Sequence, residues 1–132
     1  MDRRIRLTGL LQVATGIGIL LFWAAFFTVG LAPPNPPPCY FAYEHAFPFP
    51  DTLLAVGLVA GGRLLLAGKA AGRPLSLVCA GALIFLGVLD FCFNLQNGVY
   101  GASSMELVTN ALINAWCVGF GAFVVLFLGR GR

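Results

Sequence analysis

From residue 7 to residue 31 the chain carries no charged side chain, and two further stretches, 75–95 and 105–128, carry one each, Asp90 and Glu106. About 20 apolar residues wound as a helix rise about 30 Å, the thickness of the hydrocarbon core of a bilayer. A helix on the surface of a soluble domain has one polar face, whereas these runs are apolar all round. A fourth stretch, 52–68, is shorter and holds Arg63. Composition agrees, at 59% hydrophobic and 10% charged, far from an ordinary soluble domain. The expected class is an all-α integral membrane protein, a four-helix transmembrane bundle forming one domain over 1–132. Its helices fall at about 6–31, 51–68, 74–97 and 104–128 and form two antiparallel helical hairpins.

Charge placement predicts the orientation. All eight basic residues (Arg3, Arg4, Arg6, Arg63, Lys69, Arg73, Arg130 and Arg132) lie near the N-terminus, the second connection or the C-terminus. Four spans bring these regions to one side, so the positive-inside rule places both termini in the cytoplasm, at the plasma (inner) membrane. Four of the five acids, Glu44, Asp51, Asp90 and Glu106, lie towards the other side. The first apolar run exceeds the about 7–15 residues of a signal sequence and is read as a retained helix. The lipid bilayer is the expected partner, with the basic ends suited to anionic headgroups. Topology accounts for the cations, which argues against nucleic acid. A homo-oligomer or a larger membrane complex stays open.

Polar residues then mark one seam. Asp90, Asn94 and Asn97 recur three or four apart and share a helical face, and so do Glu106, Asn110 and Asn114. A hairpin centred near Tyr100 and Gly101 would set Asn94 level with Glu106, and Asp90 level with Asn110. Asp90 demands most explanation, since an aspartate at the centre of a span costs about 2.5–3.5 kcal/mol on insertion scales. A hydrogen-bonded clasp needs a single pair, and this seam offers more. Glu106 has a structural role available as well, because Ser103 and Glu106 have the spacing of a capping box.

The outer loop, 32–50, holds seven of the eight prolines, with Pro36, Pro37 and Pro38 in a row. Such a run is a stiff polyproline segment. Glu44 and His45 lie in this loop, above the seam. Asp51 is placed to cap the second helix. Phe22, Trp23, Phe26 and Phe27 form an interfacial aromatic belt or a stacking wall. Small residues predict close helix contacts at Ala14 and Gly18, at Gly57 and Gly61, and along Ala111, Ala115 and Gly119.

Cys39, Cys79, Cys92 and Cys117 form no C-x-x-C pair, which excludes a zinc ribbon or a thioredoxin-type centre. A Cys39–Cys92 disulfide stays open beside the reading of four free thiols. No metal site is expected, and the sequence names no cofactor. The candidate binding residues are Asp90, Asn94, Asn110, Asn114, Glu106, Glu44 and His45. They fit an outward-facing site that binds or transports a cation, a proton or a small polar molecule. Two alternatives stand beside it. One is an accessory subunit docking through glycine-rich faces. The other is a membrane enzyme acting on a lipid-like substrate, with Asp90 or Glu106 as acid or base, although the chain leans away from catalysis.

Overall fold

The computed structural model describes residues 1–130, so Arg132, counted above among the cations, lies outside the described residues. Among those described there is no strand, and four helical stretches are long and apolar enough to cross a membrane. The elements are α1 (Arg3–Thr28), α2 (Tyr40–Glu44), α3 (Pro48–Leu66), α4 (Gly72–Gln96), a single 3-10 turn (Val99–Gly101) and α5 (Ser104–Gly129).

Three boundaries differ from the expected ones by three residues, each for a local reason. The Asp2 carboxylate accepts from the Arg4 amide at 2.9 Å and caps α1, which therefore begins at Arg3. Gly30 closes the other end three residues early. Its left-handed φ of 84° lets its amide reach back to the Ala25 carbonyl at 3.1 Å. Helix α3 starts at Pro48, with Phe47 at the N-cap position, because Pro48 and Pro50 occupy first-turn positions where a missing N–H costs no helical bond. Asp51 is thereby inside the helix and does not cap it. The loop also contains α2, directly after the proline run. At α5, Ser103 Oγ accepts from the Glu106 amide at 3.1 Å, one half of the capping box.

Helix α1 packs on α3, α3 on α4, and α4 on α5. The backbones come closest at glycines. A Cβ on Gly62 would lie 2.6 Å from the Gly9 carbonyl oxygen, and one on Gly16 would lie 2.7 Å from that of Ala55. The contact stripe of α1 is thus Gly9, Gln12 and Gly16. Ala14 and Gly18 are exposed, with open space beside Gly18. The expected role of Gly57 and Gly61 holds, since they meet Cys79 and Ser76 of α4. On α5 the ridge of Ala111, Ala115 and Gly119 is exposed. Contact with α4 runs instead through Asn114, Cys117 and Gly121, opposite Gly87, Ala80 and Ile84.

The interior divides in two. One cluster is aliphatic, with Leu54, Leu58, Leu83 and Val124 at its centre and the Cys79 and Cys117 thiols among them. The other is aromatic, formed by Trp23, Phe26 and Tyr40 with Phe47 and Phe93 against it. Trp23 and Phe26 are therefore not a lipid-facing belt: the loop folds over them, while Phe27 stays exposed. All four cysteines are free, Cys39 and Cys92 included.

Polar side chains also tie the helices across the bundle. Trp116 Nε1 donates to Thr15 Oγ1 at 3.1 Å. Ser76 Oγ lies 3.0 Å from Gln12 Oε1 and 2.7 Å from the Gly72 carbonyl. Gln12 is fully buried, and its Nε2 has no partner. A hydroxyl has one hydrogen to give. Turning the Gln12 amide end for end lets Nε2 donate to Ser76 while the Ser76 hydroxyl donates to Gly72, so each hydrogen has its own acceptor.

Candidate functional site

Helix α4 presents Asp90 beneath the loop. Its carboxylate accepts from Asn94 Nδ2 at 3.0 Å, one turn further along α4, and from Tyr43 Oη at 3.3 Å. Tyr43 belongs to α2, and its ring lies flat on Phe93, with centroids 3.7 Å apart and planes 4° apart. The stack holds the hydroxyl above the carboxylate. Asn114 of α5 supplies a further carboxamide facing Asp90, and its Nδ2 also donates to Tyr100 Oη. Asp90 is thus surrounded by neutral donors from α2, α4 and α5.

Two more acids share the electrostatic field of Asp90. Asp51, 8% exposed, accepts from Trp23 Nε1 at 2.9 Å, which ties α3 to α1. Glu44, half-buried at the end of α2, is close enough to act on both Asp90 and Asp51 by charge. No lysine or arginine occurs from residue 7 to 62 or from residue 74 to 129, so these stretches offer the acids no cation. Among the described residues no three of His, Cys, Asp and Glu converge as metal ligands.

The expected seam residues do not all meet. Asp90, Asn94 and Asn114 come together, with Glu44 facing them. Asn110 turns back on its own helix, and its Nδ2 donates to the Glu106 carbonyl at 2.9 Å and to Glu106 Oε2 at 2.8 Å. Glu106 and Asn110 therefore form a local pair, and Asp90 faces Asn114, one turn beyond the expected Asn110. The cause is the connection. Gly98, at a left-handed φ of 68°, and the 3-10 turn make it asymmetric about Tyr100. Asn97 bonds the Phe93 carbonyl and accepts from Cys39 Sγ at 3.5 Å. His45 is exposed, with its ring beside those of Phe26, Phe27 and Phe41.

Sequence reasoning missed Tyr43, Tyr100 and the Trp23–Asp51 bond. Tyr43 had a signal in its place beside Glu44. Trp23 had one too, since a buried indole N–H seeks an acceptor.

Beside the site runs a groove of about 650 Å³ on the outer face of α4 and α5, lined among others by Gly87, Phe91, Leu95, Tyr100, Ala111 and Asn114. Asn114 is 5% exposed, and its enclosed Oδ1 has no hydrogen-bond partner among the described residues. The same asparagine thus borders both the groove and the Asp90 carboxylate.

Compared with protein-family models, curated proteins and solved structures, the chain matches none.

Proposed function

We propose that the chain is a membrane protein of two antiparallel helical hairpins, with both termini cytoplasmic, and that it binds or transports a small cation or a proton at Asp90. The observation that carries this reading is a carboxylate in a membrane-length helix that accepts from two neutral donors, Tyr43 and Asn94, with the Asn114 carboxamide beside it. An intramembrane acid built only for structure is expected to pair with a cation or to lie in one clasp. Here Glu44 and Asp51 add negative field, which raises local cation concentration. Neutral donors orient the carboxylate without cancelling its charge, so it stays open to a cationic partner. Because the acids do not form a metal-ligand cluster, a proton or a monovalent, hydrogen-bonding cation fits better than a chelated metal ion.

The test is the melting temperature of the detergent-purified protein across about pH 5–9 with a panel of cations, for wild type and Asp90→Asn. The variant is nearly isosteric and is expected to fold. Cations protect the wild type and not the variant, and protection fades at low pH, because a protonated carboxyl has no charge to offer. Superimposable curves for both proteins, with no cation response, would reduce Asp90 to a clasp and bring the accessory-subunit reading forward.

A further inference from the structure

We infer that the cytoplasmic end of the seam between α1 and α5 is a binding site for an anionic phospholipid, with its phosphate between Arg4 and Arg130 and an acyl chain along Phe123 and Phe127. The site rests on the membrane and topology readings above and not on Asp90. Asn114, beside Asp90, stands 16 residues along α5 from Arg130, about 24 Å of helix.

Three observations converge on this occupant. The first is an opening in the bundle. Helix α1 packs on α3, α3 on α4 and α4 on α5, which leaves α1 and α5 without an extended contact of their own. The Trp116–Thr15 bond crosses the seam, and between that tie and the helix ends lies a cavity of about 360 Å³. Arg4 of α1 lines it, together with Phe123, Leu126 and Phe127 of α5 and Arg130 at its C-cap. Both arginines thus border one space.

The second is the wall. The Phe123 and Phe127 rings lie nearly parallel, with planes 9° apart and centroids 5.6 Å apart, and the row continues through Phe120 to Trp116. Rings aligned in this way form an apolar strip along the seam. From Arg4 to Thr15 is 11 residues, about 17 Å of helix, and one leaflet holds about 15 Å of the hydrocarbon core. An acyl chain that enters beside Arg4 has one leaflet's depth before the Trp116 tie.

The third is charge. From residue 3 to 43 and from residue 107 to 132 the chain has no acidic side chain, and the Asp2 carboxylate accepts from the Arg4 backbone amide. These stretches bring no carboxylate to balance the two guanidinium groups. The planar fork of a guanidinium matches phosphate oxygens in pairs, and one phosphate can serve both arginines. Free phosphate would leave the aromatic strip uncovered, and an uncharged lipid would leave the arginines unmatched. A zwitterionic phospholipid brings its own cation to compete for the phosphate, whereas a net anionic one does not. The cytoplasmic leaflet carries such lipids.

The experiment uses the full chain in phosphatidylcholine nanodiscs containing a trace of phosphatidylglycerol with a diazirine on one acyl chain, and mass spectrometry maps the labelled residues. Labelling is expected on Phe123, Leu126 and Phe127. Unlabelled phosphatidylglycerol should compete, and the same share of phosphatidylethanolamine or oleate should not. Arg4→Gln combined with Arg130→Gln should cut this labelling about tenfold or more, since one basic side chain near an anionic surface is worth about fivefold. Lys69→Gln combined with Arg73→Gln removes the same charge from the second connection, on the same face of the membrane, and should leave the labelling unchanged. None of the four residues is buried, so both variants are expected to fold. Equal losses in the two variants would reduce the effect to net charge and overturn the site. Competition by phosphatidylethanolamine as strong as by phosphatidylglycerol would overturn the anionic head, and oleate competing equally would give the site to a fatty acid instead. Labelling spread evenly over the four long helices would mark ordinary lipid contact and overturn the seam. Asp90→Asn should alter none of these readouts, so the cation site and this one fail separately. A chain that does not enter nanodiscs would overturn the membrane reading on which both stand.

Discussion

Replacing Gly62 by alanine tests how tightly α1 and α3 are held. The added Cβ would lie 2.6 Å from the Gly9 carbonyl oxygen, 2.9 Å from Val13 Cγ2 and 3.2 Å from Gln12 Cβ. The nearest of these is backbone and cannot rotate away. Restoring an ordinary contact of 3.4 Å from 2.6 Å moves the helices apart by about 0.8 Å at this point. A gap of that size forfeits about a quarter to a half of the dispersion energy of the facing atoms, and overpacking of this kind costs about 1–3 kcal/mol. Alanine recovers about 0.5–1 kcal/mol over glycine inside a helix, which leaves a net loss of about 0–2.5 kcal/mol, centred on about 1 kcal/mol. Gly119→Ala is the control. Gly119 lies in α5 with open space beside it, so it gains the helix term and meets no clash. Reversible unfolding in mixed micelles reads both variants against wild type. Gly62→Ala should be less stable, and Gly119→Ala equal or more stable. Two shifts of the same sign and size would refute the reasoning, because helix propensity alone would then explain both.

Two other outcomes follow from the geometry. Tyr43→Phe keeps the stack on Phe93 and deletes the hydroxyl on Asp90, so stability should fall by about 0.6–1.7 kcal/mol and cation protection should change with it; an unaltered cation response would remove Tyr43 from the site. For topology, an engineered cysteine at Asn35 should react in intact cells with an impermeant thiol reagent and one at Lys69 should not, and the reverse pattern would invert the orientation.

The helices were legible because apolar runs longer than about 18 residues leave few alternatives, and the ends moved by more than two residues only where Asp2, Gly30 and the Pro48–Pro50 turn intervened. Asp90, Asn94 and Asn114 were legible as isolated polar groups at helical spacing in apolar sequence. Which asparagine Asp90 faces was not. Asn110 and Asn114 share one face, and the choice depends on a connection whose asymmetry comes from Gly98 and one 3-10 turn. Tyr43 was hidden for a different reason. It sits among other loop aromatics, and only the flat stack on Phe93 selects it. The rotation of α1 was misjudged at Ala14 and Gly18, because small residues occur on several faces of that helix and only the partner shows which face is used. Gln12, the one carboxamide between residues 7 and 31, lies on the stripe that is used, a signal the sequence reading passed over.

The polar ties of α1 have a consequence for the order in which the chain can be assembled. Trp23 finds its acceptor 28 residues downstream, Gln12 meets Ser76 64 residues on, and Thr15 receives Trp116 101 residues on. As the chain emerges from the ribosome, the first helix is finished while none of these partners has yet been made. The nascent helix must be kept company until Trp116 has been made, by water, by lipid headgroups or by whatever machinery holds it. The thread back to Trp116 is the latest of the three to be tied, so maturation of α1 waits on the arrival of α5.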